Sequence, residues 1–337
     1  MDLKTLRAKA REELKGFCRV CPVCDGRACA GEVPGMGGSG TGAAFTANLD
    51  ALRAVRLHMR TLHAVKTADT TTELFGRTLS MPILAAPMTG VVYNMGGKRS
   101  EAEFIRLIME GATAAGTVGM SGDGADPAMF DSGLAAIGAQ GGRGIPVIKP
   151  REQAVVRERL AQAEASGVLA VGMDVDGAGL VTMALKGQPV SPKTLDELTE
   201  LVRATRLPFI VKGIMTPDEA ELAIAAGAAA IVVSNHGGRI LDHTPGAAEV
   251  LPTIARTVGG RTVILVDGGV RSGADVLKYL ALGADAVLVG RPLVVGAFGG
   301  GADGVAFLFR KLQSELAAAM LLTGTASVRD VSSRILC

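Results

Sequence analysis

Eight short apolar runs recur from about residue 80 onward, and they constrain the fold more than any other feature of this sequence. Each run is followed by a turn signal and a helical stretch, and successive runs begin roughly 22 to 38 residues apart. The runs are nearly continuous, as expected for parallel strands buried on both faces. They are PILAAPM (82–88), TVGMSG (117–122), PVIKP (146–150), AVGMDV (170–175), PFIVKG (208–213), AIVVSN (230–235), TVILVDGG (262–269) and AVLVGRP (286–292).

This series predicts an α/β fold, because eight β–α units are the number that closes a (β/α)8 (TIM) barrel. A doubly wound sheet is the alternative, but no GxGxxG opens the first unit. We therefore predict a barrel over residues 76–337. Residues 1–75 form an N-terminal extension with a charged helix, a Cys/Gly-rich loop and a second helix, which Asn48 is expected to cap.

Composition excludes several classes of protein. The chain has 337 residues, of which 48% are hydrophobic, so it can bury a large core and is not mainly disordered. A net charge of +2 with no Trp and two Tyr gives no general case for binding nucleic acid. The longest uncharged apolar run, near 222–233, is shorter than the ~20 residues of a membrane span. No secretory signal opens the chain, and the five Cys favour a reducing cytoplasm.

Polar residues end the apolar runs, at the rim where barrels place their active sites. The sixth run ends in SNHGGRILD, in which His236 can act as a base near neutral pH. Arg239 can bind a carboxylate through two hydrogen bonds. A loop histidine beside a surface arginine is the alternative reading of the same residues.

The seventh and eighth runs end in VDGGVRSGADVLK and VLVGRP. Gly268 and Gly269 expose backbone N–H groups before a helix, and Arg271 and Arg291 add positive charge, a pattern typical of a phosphate site. Ordinary glycine-rich turns are the alternative. Lys212 ends the fifth run, where it needs an anionic partner unless it extends to solvent.

These residues resemble the family of FMN-dependent α-hydroxy-acid oxidases and dehydrogenases, which includes glycolate oxidase and lactate oxidase. The resemblance covers roughly residues 43–335 and is strongest in SNHGGRILDHTPGAAEVLPTIA and VDGGVRSGADVLKYLALGADAVLVGRP. It implies a (β/α)8 barrel that binds FMN and oxidises a small, lactate- or glycolate-like 2-hydroxy acid to the 2-oxo acid. It also implies a homo-oligomer, a tetramer, and leaves O2 or a redox partner as the electron acceptor.

The resemblance also implies roles for individual residues. His236 looks like the catalytic base, Arg239 like the ligand of the substrate carboxylate, and Lys212 like the lysine that stabilises reduced flavin. Asp176 falls where a carboxylate orients the base, and such a pairing is expected to raise the pKa of the histidine. The residues implied to contact FMN are Pro87, Met88, Thr89, Ser121 or its neighbour Gly122, Lys212, Ser234, Asp267, Gly268, Gly269, Arg271, Gly290 and Arg291.

Three departures from the family pattern concern the substrate. The family places two tyrosines there, but neither Tyr93 nor Tyr279 is at those places, and Ile148 stands where one is expected. A second substrate arginine is missing after the fourth run. Two other functions therefore stay open: a non-redox FMN enzyme resembling type 2 isopentenyl-diphosphate isomerase, and a barrel that binds flavin or another phosphorylated ligand without hydroxy-acid turnover. Tyr93 follows the first strand and could reach the site.

Four cysteines, Cys18, Cys21, Cys24 and Cys29, lie within twelve residues of the extension. Their spacing, C-x2-C-x2-C-x4-C, could hold zinc or an iron–sulfur cluster. A set of reduced thiols in a loop that packs over the barrel is the alternative. A cluster beside FMN would suggest a dehydrogenase that passes electrons onward instead of using O2.

Overall fold

Eight parallel strands close into a barrel in this computed structural model, which describes residues 1–337. The strands pair in chain order, and the last pairs with the first, so the predicted (β/α)8 barrel is confirmed. They are β3 (Ile83–Met88), β4 (Gly119–Gly122), β5 (Gly144–Ile148), β6 (Val171–Asp174), β7 (Phe209–Ile214), β8 (Ala230–Val233), β9 (Val263–Val266) and β10 (Ala286–Val289). An antiparallel hairpin of β1 (Thr72–Leu74) and β2 (Arg77–Leu79) precedes them.

Helices alternate with the barrel strands, and two further helices belong to the N-terminal extension. They are α1 (Leu3–Glu13), α2 (Ala43–Ala54), α3 (Val91–Asn94), α4 (Glu101–Ala114), α5 (Pro127–Gly138), α6 (Gln153–Ala165), α7 (Val181–Leu185), α8 (Leu195–Arg203), α9 (Pro217–Ala225), α10 (Ala247–Val258), α11 (Gly273–Ala281) and α12 (Arg291–Thr323). Short 3-10 turns lie between some of them. Helix α12 is two helical stretches joined at Gly301, whose φ of +62° breaks the helical geometry.

Two apolar layers hold the barrel together. Alternate strand residues point inward and form a cluster of 15 buried side chains, and the others pack outward against the helices. Leu74 and Leu79 of the hairpin belong to the inner cluster, so the hairpin covers one end of the barrel. The predicted boundary between residues 75 and 76 falls in the turn of this hairpin, and the division into 1–75 and 76–337 stays a prediction.

Helix α12 is the one helix long and apolar enough to cross a membrane, judged by length and composition alone. Of its most apolar 18-residue window, 61% is buried inside the protein, as in a core helix. The expectation of no membrane span therefore stays an expectation.

Asn48 joins the N-terminal extension to the barrel, and its predicted role as a helix cap is wrong. Helix α2 begins at Ala43, after Gly42, and Asn48 lies in its middle, fully buried. Its Oδ1 accepts a hydrogen bond from the backbone N–H of Ala247 at 3.0 Å, and its Nδ2 donates to Asn235 Oδ1 at 2.8 Å. A polar residue near the start of a helical pattern predicts a cap. The partners that hold Asn48 inside the helix lie about 190 residues away, so no local pattern reveals them.

We expect Asn48→Ala to lower the free energy of unfolding by about 1–3 kcal/mol, because it leaves buried groups on the barrel without partners. Urea denaturation followed by circular dichroism measures the loss. Asp50→Ala, an exposed position of the same helix, is the matched control. Equal stability of Asn48→Ala and the wild type would contradict this account of how the extension is attached.

Candidate active site at the rim of the barrel

One cavity of about 160 Å³ opens at the C-terminal ends of the strands, and most of the predicted site residues line it. Chain positions far apart meet here because all eight parallel strands end at the same rim. The predicted residues that line the cavity are Pro87, Met88, Thr89, Lys212, His236, Arg239, Asp267, Gly268, Gly269, Arg271, Gly290 and Arg291.

Ser121 does not reach this cavity. Its side chain lies on the outer face of β4 towards Gly133 of α5, and its buried hydroxyl has no hydrogen-bond partner. The residues on either side of it, Met120 and Gly122, face the interior, and Gly122 lines the cavity. Of the two residues that the resemblance left open, Gly122 therefore lies at the cavity and Ser121 does not, because neighbouring strand residues face opposite sides.

His236 is paired with Asp176. The histidine Nδ1 lies 3.1 Å from both carboxylate oxygens of Asp176, and Nε2 makes no hydrogen bond within the protein. His236 has a φ of +57°, a strained conformation for a residue with a side chain and one often found at functional sites. The pair fixes the ring so that Nε2 is the nitrogen available to a substrate.

The pKa of His236 is lowered, contrary to the expectation that Asp176 raises it. Burial disfavours the imidazolium, and the positive charge of Lys212 adds to this effect, together outweighing the attraction of Asp176. Burial raises the pKa of Asp176, but His236 and Lys212 hold it down to about 2. Near neutral pH the pair is therefore a neutral imidazole beside a carboxylate, and the imidazole can accept a proton.

Lys212 lies buried at the end of β7, where it is surrounded by acidic groups. Its Nζ donates a hydrogen bond to Ser234 Oγ at 3.0 Å and lies 3.6 Å from Asp267 Oδ2. Burial lowers the pKa of Lys212, but Asp267, Asp176 and Asp174 outweigh burial and raise it, so the lysine is charged. Ser234, also predicted at the cofactor, holds Lys212 and accepts from the backbone N–H of His236 at 3.0 Å.

Three arginines at the rim have no carboxylate partner. Arg239 and Arg291 donate to backbone carbonyls of the loop 35–37, and Arg271 donates to the carbonyl of Cys24. Burial, together with the charges of Arg239 and Arg271, lowers the pKa of Arg291 to about 9. Positive charge gathered without acidic partners, beside Gly268 and Gly269, favours the binding of an anion.

Lys149 is one of the polar residues that end the apolar runs, and it lines the cavity, although the family resemblance assigns it no role. It follows β5 and points inward, and its Nζ lies 2.5 Å from Asp174 Oδ2, both side chains being buried. Ile148, beside it, packs outward against the helices, so it does not occupy a substrate position. The alternation of strand residues explains its direction, because Val147 faces inward two residues earlier.

The two tyrosines have different surroundings. Tyr93 lines the cavity, with Lys186 Nζ 5.0 Å from its ring centroid. Tyr279 is fully buried in α11 and donates a hydrogen bond to the carbonyl of Gly268 at 2.7 Å. Tyr93 can therefore meet a substrate, whereas Tyr279 supports the glycine-rich turn from behind.

The four predicted metal ligands lie around a second cavity of about 370 Å³. No three of their sulfur atoms come within 4.8 Å of one another, since the one such group of potential ligands is Asp174, Asp176 and His236. Tetrahedral zinc with Zn–S bonds of about 2.3 Å requires sulfurs about 3.8 Å apart. As placed, the thiols therefore do not form a tetrahedral zinc shell, which is one of the alternatives that their spacing left open.

The unpaired positive charge and the glycine-rich backbone of this rim suit the phosphate of a cofactor. The chain belongs to the FMN-dependent dehydrogenase family, which matches residues 35–188 and 178–337. It is 35% identical to a 2-hydroxyacid oxidase of Dictyostelium discoideum over 322 residues, covering 86% of this chain and 81% of the relative. It is 31% identical to an L-lactate oxidase of Lacticaseibacillus rhamnosus, covering 98% and 92%.

Solved structures support the same assignment. The structure of a mandelate oxidase with (S)-2-phenylpropionate superimposes with a TM-score of 0.79 at 31% identity, covering 99% of this chain and 97% of that one. These relatives are named as oxidases, so the comparisons do not favour the isomerase alternative.

The residues of the rim fit FMN. Arg271 and Arg291 offer guanidinium groups without acidic partners to its phosphate. Asp267 Oδ1 is buried without a partner and can accept a hydrogen bond from a ribityl hydroxyl.

We expect the acid limb of the kcat/KM profile for a 2-hydroxy acid to lie below pH 6.5, the ordinary pKa of histidine. Asp176→Asn removes the negative charge that favours the imidazolium, so the limb moves to still lower pH while kcat falls. Steady-state rates between pH 4 and 8 measure this shift, with Glu249→Gln, an exposed carboxylate, as the control. A limb that moves to higher pH in Asp176→Asn would contradict the account.

Proposed function

We propose that this protein uses FMN to oxidise a small 2-hydroxy acid to the corresponding 2-oxo acid. The observation that carries the proposal is the His236–Asp176 pair at the mouth of a barrel whose rim fits FMN. Family membership and the names of the relatives support it. When bound, FMN supplies the acceptor for the two electrons that leave the substrate.

His236 takes the proton in this reaction. Its Nε2 is free, its lowered pKa keeps it neutral, and Asp176 on Nδ1 stabilises the positive charge that develops when it is protonated. Lys212, held charged by three carboxylates, supplies fixed positive charge beside the cofactor.

Arg239 orients the substrate by its carboxylate. Its Nη1 donates to backbone carbonyls of the loop 35–37, and its Nη2 donates to Asn94 Oδ1 at 2.9 Å. Its Nε makes no hydrogen bond within the protein. Lys149 cannot replace the missing second arginine as a free cation, because Asp174 already neutralises it. The site therefore offers one cationic ligand and the ring of Tyr93, which suits a small acid bound weakly.

The finer features of the protein are proposals as well. The absence of disulfides among the five cysteines supports a reducing, cytoplasmic setting. The resemblance to the family supports a homo-oligomer. For the electron acceptor, the names of the relatives favour O2, whereas the four cysteines around one cavity favour a one-electron carrier.

Anaerobic mixing of the FMN-loaded protein with L-lactate, glycolate or mandelate tests the function. We expect the flavin absorbance to bleach, and His236→Ala to slow the bleaching at least about 100-fold while FMN stays bound, because general-base catalysis is lost. His243→Ala is the matched control, since its side chain is 71% exposed. Unchanged bleaching in His236→Ala, or no bleaching by any 2-hydroxy acid, would contradict the proposal.

We expect Arg239→Lys to raise KM for the hydroxy acid by roughly 10- to 100-fold, because a charge-assisted hydrogen bond worth about 1.5–3 kcal/mol is lost. Asn94→Ala is the control, since it removes the acceptor that holds Arg239 and leaves the cation in place. An equal rise in KM in both variants would show that Arg239 acts only by holding the loop 35–37.

A further inference from the structure

The four cysteines of the extension surround one cavity, and the function proposed above does not use it. Cys18, Cys21, Cys24 and Cys29 all line this cavity of about 370 Å³, which lies between the extension and the start of α12. All four are reduced and half-buried. The cavity therefore has room for a group that the four thiols could bind.

The separation of the thiols indicates what kind of occupant fits. No three sulfurs lie within 4.8 Å, which is too wide for the shell of one tetrahedral ion. An iron–sulfur cubane carries its four thiolates at its outer corners, so it holds them further apart than a single ion does. The spacing C-x2-C-x2-C of the first three cysteines is that of ferredoxin-type runs.

The charge on the cavity wall also fits a cluster. A cluster held by four thiolates is an anion, and the cavity is lined by Arg7, Arg271 and Arg291, none of which has a carboxylate partner. Arg271 already donates to Cys24 Sγ at 3.4 Å. Hydrogen bonds and positive charge at the sulfurs stabilise such a cluster.

The loop that carries the cysteines is fixed before any occupant binds. Arg11 Nη2 donates to the carbonyl of Val20 at 3.0 Å, and Arg7 donates to the carbonyl of Cys21. Arg271 Nη2 donates to the carbonyl of Cys24 at 3.0 Å. Helix α1 and the turn between β9 and α11 thus position the loop through its backbone, which leaves the thiols free to act as ligands.

The geometry points to a [4Fe–4S] cluster bound by Cys18, Cys21, Cys24 and Cys29, which carries electrons away from the flavin. The electron-carrying role of the cluster rests on the proposed function, whereas its binding by the four cysteines does not. Met36, Arg271 and Arg291 line both cavities, so the two sites share a wall. Oxidation of one hydroxy acid releases two electrons and two protons. A cluster bound here would accept these electrons one at a time and would hand each to a one-electron acceptor.

Metal analysis of the full-length protein, purified without O2 and reconstituted with iron and sulfide, tests the cluster. We expect about four iron and four sulfide ions per chain and a brown shoulder on the flavin spectrum. The double variant Cys18→Ser/Cys24→Ser should lose the iron and keep FMN. Cys337→Ser is the control, because this exposed thiol lies outside the cavity and its variant should keep the iron.

Either of two results would overturn the cluster: one zinc per chain in place of iron, or iron that persists in the double variant. Electron paramagnetic resonance after addition of hydroxy acid tests the electron path. A reduced-cluster signal is expected in the wild type but not in His236→Ala, whose iron content should be unchanged. A flavin that bleaches while the cluster stays oxidised would overturn the path alone, and a flavin that never bleaches would count against the proposed function and not against the cluster.

Discussion

Three guanidinium groups at one rim of the barrel carry positive charge that no carboxylate of the chain balances. Arg239, Arg271 and Arg291 are held instead by backbone carbonyls, and the pKa of Arg291 is pushed down to about 9 by burial and by its neighbours. Charge of this kind is costly to gather, so its presence indicates an anion that binds there. The phosphate of FMN and the carboxylate of a hydroxy acid are the two anions that the proposed reaction requires.

The N-terminal extension is part of the site. The carbonyls that hold Arg239 and Arg291 come from the loop 35–37, and Asn48 fixes α2 against the loop after β8. The barrel supplies His236, Asp176 and most of the cationic rim, whereas the extension supplies one wall of the cavity and all four cysteines. The cavity is therefore complete only when the extension lies against the barrel.

The sequence predicted the architecture and most of the site. Eight buried apolar runs predict a closed parallel barrel, and a barrel brings His236, Lys212 and Arg291 to one rim regardless of their separation in the chain. What it could not predict depends on register and on tertiary partners. Ser121 faces the helices because it alternates with Met120 and Gly122, which face the barrel interior. The pKa of His236 is lowered because burial and Lys212 outweigh Asp176. Neither secondary-structure propensity nor motif spacing specifies which way a strand residue faces or how burial changes the pKa of a histidine.

The most direct test of the central claim compares the binding of FMN and riboflavin to the protein stripped of flavin. The two ligands share the isoalloxazine ring and the ribityl chain and differ only in the phosphate. If Arg271 and Arg291 are built for that phosphate, fluorescence titration should show FMN binding at least about 100-fold more tightly, since charge-assisted hydrogen bonds contribute about 1.5–3 kcal/mol each. Equal affinity for both would contradict the account.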